Sequence, residues 1–172
     1  EIAASLVREL DVVGSQYDVF VLEDLSARPL KEMPQQILRT LADAQVSIFA
    51  AQAKVGELAA RIQMTSVVNK HRIRHAHMVD INKQIMMDGM RADFLEVDRL
   101  SSMLLEKAVR AKTITVKSPA GTDLKAEFSQ KLRWLKTSGL ISPDKWGNLP
   151  GGEIFTAPHN VNGLFVVDGV VG

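Results

Sequence analysis

The chain has 172 residues, is 46% hydrophobic and carries a formal net charge of +1. That length supports a packed core and one domain with part of a second, while the near-balanced charge argues against bulk nucleic-acid or anionic-membrane binding, which needs clustered cations. Cysteine is absent, which excludes disulfides, thiolate metal sites and a cysteine nucleophile.

No apolar run is long enough to span a bilayer, and no basic-then-apolar leader is visible. The lack of cysteine fits a cytoplasmic location. The chain starts at Glu1 and ends at Val170-Val171-Gly172, just past a strand-like run. It reads as a piece of a longer polypeptide whose first strand is missing.

Ile2, Ala3, Leu6, Val7, Leu10 and Val13 recur at helical spacing, with Gly14 to close the helix. Tyr17 to Leu22 reads as a buried strand. Leu25 to Pro34 is a loop, Gln35 to Ala44 a helix and Val46 to Ala51 a strand. Gly56 to Val68 is helical, with Leu58, Ile62 and Thr65 on one face. Helices alternating with strands predict an α/β layer with a parallel sheet.

A helical middle follows. Met78, Ile81, Ile85 and Met86 precede Gly89, a C-cap residue by type. Asp93 and Glu96 form a capping box ahead of Phe94, Val97, Leu100, Leu104 and Ala108. After Lys112 the period changes to two. Thr113–Lys117 and Asp123–Phe128 alternate around the turn Ser118–Thr122, which predicts a β-hairpin. The predicted organisation is an α/β domain over residues 1–111 and the start of a β-rich domain over 112–172.

The segment Asn148–Pro158 carries the strongest chemical signal. Glu153 follows two glycines and precedes an apolar-aromatic pair, with prolines at 150 and 158. Glycine permits sharp turns and close approach, and proline fixes φ. A carboxylate framed this way is a hard metal ligand or an acid–base group. The competing reading is a loop glutamate that bonds local N–H groups.

The histidines come second. His71, His75 and His77 lie beside Arg72 and Arg74. His71 and His75 would share a helical face, a zinc-competent spacing. The two arginines and the lack of a nearby carboxylate favour a helix–loop junction instead. His75 or His77 remains a weak catalytic candidate as an acid–base group. His159, six residues past Glu153, reads as a surface residue. Glu23 and Asp24 read as loop acids, the methionines as core filler, and Asp168 as a turn residue. Trp134 and Trp146 are assigned to packing against the hairpin.

The segment Asn148–Pro158, with Gly163–Gly172 after it and Asp88–Asp93 more weakly before it, resembles the metalloaminopeptidase family of the aminopeptidase T type. The resemblance implies an N-terminal α/β domain and a C-terminal domain holding two divalent cations (zinc, cobalt or manganese). It implies that Glu153 is a metal ligand. The family's remaining ligands (a glutamate, two histidines and an aspartate) would lie beyond Gly172, so this chain by itself would be inactive. It further implies a peptide or small-molecule substrate and a homodimer. The same fold resembles iron-dependent dioxygenases that open dihydroxypyridine rings, where a single ferrous ion would replace the pair and His75 or His77 would act on a substrate hydroxyl. A non-catalytic interaction piece is the third reading.

Overall fold

The computed structural model describes residues 1–143 and 145–167. Asp168 and the run Val170–Gly172 lie outside the described residues. The chain is mixed α/β and divides into two compact units: residues 1–91 with 141–150, and residues 92–140 with 151–172.

The first unit begins with α1 (Ile2–Val12), which Gly14 ends at φ +69°. Residues 15–21 are irregular and join no ladder, contrary to the predicted strand over Tyr17–Leu22. Val19 and Val21 are exposed there, and Leu22 instead opens the short helix α2 (Leu22–Leu25). Apolar, β-branched composition marks a strand only where a partner edge is available. Next come α3 (Gln35–Asp43), β1 (Val46–Ala51) and α4 (Leu58–His71). The face of α4 differs from the prediction. Ala60, Met64 and Val68 are buried, whereas Leu58 and Ile62 are exposed. The helix carries apolar residues all round, so spacing alone does not choose a side.

The largest departure is β2 (Arg74–Val79), where a helix–loop junction was predicted. Arg72 takes a left-handed conformation at φ 56° and stops α4. His71 therefore ends a helix and His75 lies on a strand, and the two share no helical face. Residues 75–78 are all buried, and a strand covered on both faces shows no alternation. After β2, α5 (Lys83–Met87) is capped by Asn82, whose side chain accepts from the Ile85 amide. Asp88, rather than Gly89, stands at its C-cap, and Gly89–Arg91 forms a 3₁₀ turn.

β1 pairs parallel with β2, Val46 opposite Arg74. β2 also pairs parallel with a late two-residue strand at Gly147–Asn148. The core gathers Leu22, Leu30, Met33, Leu41, Met64, Val68 and Ile73, with Phe49 and Trp146 against it.

One ion pair closes this unit. Glu57, 2% exposed, accepts from Arg28 Nε at 2.5 Å and Nη2 at 2.6 Å. It also accepts from the amides of Leu30 and Lys54, and Arg28 Nη2 reaches the carbonyl of Gln52. The loop after α2 is thereby fastened to the loop between β1 and α4. The Arg28 hydrogen bonds hold the Glu57 carboxyl down to about 2, against the opposing effect of burial.

The second unit opens on α6 (Phe94–Ala108). Asp93 caps it as predicted, Oδ1 accepting from the Leu95 and Glu96 amides. β3 (Thr113–Lys117) and β4 (Asp123–Glu127) form the predicted antiparallel hairpin. β5 (Leu135–Thr137) follows; the late strand of the first unit is β6, and β7 (Glu153–Phe155) pairs antiparallel with β5. β8 (Asn160–Leu164) extends the hairpin sheet beside β4. Trp134 packs on Phe128 with centroids 5.2 Å apart. Trp146 belongs to the first unit and packs on the histidines, not on the hairpin.

Removing the charge of Glu57 leaves the Arg28 guanidinium, whose side chain is 4% exposed, with the solvent-facing Glu23 as its remaining ionic partner. Glu57→Gln is expected to cost roughly 3 kcal/mol in urea unfolding at pH 7. The folded carboxyl titrates below its ordinary value, so its stabilisation is complete above about 4.5 and disappears as pH falls toward 2. The gap between Glu57→Gln and the parent should shrink across that window.

Candidate functional site

Glu153 is the first residue of β7 and is exposed. Its Oε1 accepts a hydrogen bond from Thr137 Oγ1 at 3.2 Å, the residue directly opposite it in the β5–β7 register. The side chain makes no other hydrogen bond or ion pair among the described residues. The backbone beneath it is tightly held. A Cβ placed on Gly152 would meet Val97 Cγ1 of α6 at 3.2 Å. Gly139, at φ +80°, sits against the Phe94 ring, where a Cβ would come within 2.3 Å. These contacts give the predicted glycine logic a physical form: the ribbon lies on the helix because nothing intervenes.

A polar lock adds to the contact. Lys136 Nζ donates to Asp98 Oδ1 at 2.7 Å and to Ser102 Oγ at 2.8 Å. Ser138 Oγ donates to the same Asp98 oxygen and is 1% exposed. The three consecutive residues 136–138 thus face two ways. Lys136 and Ser138 grip α6, and Thr137 points to Glu153. None of Asp98, Lys136, Thr137 or Ser138 was singled out in the sequence. The available signal was Asp98, a carboxylate one position from Val97 on the apolar stripe of α6.

As a cation donor Glu153 has suitable chemistry: a hard oxygen ligand, accessible, with one oxygen bonded to a hydroxyl. Among the described residues, no group of three His, Asp or Glu side chains is placed to hold a metal ion.

The histidines form a different arrangement in the first unit. His75 and His77 alternate on β2 and face the same side, 1% and 8% exposed. Ser47 Oγ lies 2.8 Å from His75 Nδ1, and His75 Nε2 lies 3.2 Å from His77 Nδ1. His77 stacks on Phe49 at 5.0 Å, and Trp146 meets both rings edge-on. Burial lowers both imidazoles to about 4, with the facing His77 acting further on His75 and the Arg61 charge acting further on His77. Each ring is neutral at pH 7 and sealed from solvent. The pair forms a polar seam in a packed sheet face, with both rings buried. His71 and His159 are exposed, the latter giving its amide to the Glu127 carbonyl. Glu23 pairs with Arg28, and Asp24 lies in the first turn of α2.

A cavity of about 250 Å³ lies by the end of α4, lined by Val68, Arg72, Ile73, Pro143, Lys145 and Trp146 among others. None of the residues predicted to carry chemistry lines it. Among the described residues, no helix is long and apolar enough to cross a membrane. No protein-family model, curated protein or solved structure matches this chain.

Two measurements test these arrangements. The histidine pair is depressed below 6.5 in the folded state, so its contribution is complete above about 6.5 and falls as pH drops toward 4. Melting temperature should decline through that range, and His77→Gln, which cannot take up a proton, should flatten the decline. Gly139→Ala should lower stability by about 2 kcal/mol or more, through ring displacement and a positive φ that alanine disfavours. A melting curve equal to the parent's would show that the ribbon is free to lift from α6.

Proposed function

We propose that the protein to which this chain belongs is a metal-dependent aminopeptidase-type hydrolase that releases N-terminal amino acids, with Glu153 as one of its metal ligands. The observation that carries this reading is the Glu153 carboxylate itself. It stands accessible at the head of β7, on a ribbon fastened to α6, within the segment that resembles the family. The implied cations are zinc, cobalt or manganese, for which carboxylate oxygen is a suitable donor.

Divalent cations bound there would acidify a water molecule and polarise the scissile carbonyl of a peptide. The work of this chain is positional. Gly152 and Gly139 let β7 and β5 lie on α6. Lys136 and Ser138 hold the ribbon through Asp98. Glu153 extends from that base with one carboxylate oxygen bonded and the other available. The remaining donors are expected from residues outside this chain, so the chain alone would bind divalent metal weakly.

The ring-cleaving oxygenase alternative needs a histidine that reaches the substrate. His75 and His77 are 1% and 8% exposed, so their placement lends it no support. The family likeness also implies a homodimer and a peptide substrate, and the absence of cysteine agrees with a cytoplasmic setting.

Hydrolysis of aminoacyl amides by the full-length protein with added cobalt or zinc tests the proposal directly. Glu153→Gln keeps the size of the side chain and removes its charge. It should weaken metal binding roughly 10-fold or more, with the melting temperature of the metal-free protein unchanged. Unaltered metal stoichiometry and rate in this variant would make Glu153 a structural residue.

A further inference from the structure

We propose that the β6 stretch, residues 146–149, is an acid-released latch over the buried histidine pair, detaching from β2 while the rest of the first unit stays folded. Its attachment is slight. β1 pairs with β2 along Val46–Ala51, whereas β6 pairs only at Ala76 with Gly147 and at His77 with Asn148. A further backbone bond, from the Leu149 amide to the His77 carbonyl, continues the ladder. What this short strand brings is Trp146, whose ring centroid lies 6.1 Å from that of His75 and 5.8 Å from that of His77. The most weakly laddered strand of the sheet thus closes directly on two groups that can take up protons.

The closed arrangement suits neutral rings. His75 Nε2 and His77 Nδ1 are 3.2 Å apart and share one proton between them; two imidazolium rings would set two N–H groups head to head. Each element packed on the pair withholds a counter-charge. β1 contributes the Ser47 hydroxyl and the Phe49 ring, and β6 the Trp146 indole. α4 contributes Arg61, a charge of the same sign, whose own Nε is buried without a hydrogen-bond partner. Among the described residues, no carboxylate is hydrogen-bonded to either ring. A proton taken up here is an uncompensated buried charge, and water relieves it. Burial holds both rings down to about 4, and lifting β6 returns them toward the ordinary 6.5. The open form therefore binds more protons than the closed form, and opening is favoured as pH falls from about 6.5 toward 4.

The test follows amide hydrogen exchange in the full-length protein at pH 7 and pH 5, with each rate corrected for the intrinsic effect of pH. The Leu149 amide reports on the latch, and the Met64 and Val68 amides of α4 report on the rest of the unit. Leu149 should exchange ahead of Met64 and Val68 at both pH values, and its protection should fall roughly tenfold or more between pH 7 and pH 5. His77→Gln removes one titrating ring and should make that fall smaller. Arg61→Met removes the like charge, raises the closed-state titration of His77 and should also make it smaller. Leu149 protection that is equal at the two pH values overturns the latch. Exchange of Leu149 no faster than that of Met64 and Val68 overturns it too, because opening would then be unfolding of the whole unit. A fall as steep as the parent's in both variants shows that the histidines are not the trigger. Should His77→Gln fail to fold, Arg61→Met alone decides, and a fall as steep as the parent's overturns the inference.

Discussion

The second unit is organised by one carboxylate. Asp98, on the inner side of α6, takes a proton donor from Lys136 and another from Ser138. Without it the Ser138 hydroxyl, in a residue 1% exposed, would lose its partner on α6, and the Lys136 ammonium would keep only the Ser102 hydroxyl there. The glycines at 139 and 152 bring the ribbon close enough for this contact to form. Polar lock and steric allowance depend on each other. A Cβ at 139 would meet the Phe94 ring of α6, and one at 152 would meet Val97 of the same helix.

The first unit solves a different problem with the same means. It places four polar side chains (Arg28, Glu57, His75 and His77) where little of them is exposed. Each is given partners of complementary type. Arg28 and Glu57 are mutually satisfied and share further bonds with main-chain groups. The histidines remain neutral and are linked to each other and to Ser47. Such groups contribute little net stability relative to an apolar core, but removing one partner is costly. They fix the loops at the carboxyl end of β1 and the face of β2 more narrowly than hydrophobic contact would.

Much of the local structure was legible because it rests on local chemistry. The Asp93 cap, the α6 stripe, the hairpin turn and the bounds of β1 follow from spacing and residue type. Three features were not. β2 is buried on both faces, so it carries no alternation, and its histidines read as polar caps rather than as interior groups. The buried face of α4 is set by what packs on it, since Ala60 and Met64 are no more apolar than Leu58 and Ile62. Residues 15–21 have strand composition without a strand neighbour. At the candidate site the sequence marked Glu153 and its glycine frame. It did not mark Thr137, Lys136 or Asp98, because their meaning comes from pairing between segments far apart in the chain.

The order of the ladder also constrains how the molecule is made. β6 supplies only Gly147 and Asn148, yet it is the third strand of a sheet whose first two end by Val79. Trp146, the aromatic lid over both imidazoles, arrives with it. A nascent chain emerging from the ribosome therefore exposes the flank of β2 until nearly seventy further residues have been translated, the whole of α6 and the hairpin included. Closure of this sheet waits on a segment translated after α6 and the hairpin, and such long-range pairing slows folding and lengthens the interval in which a chaperone is useful.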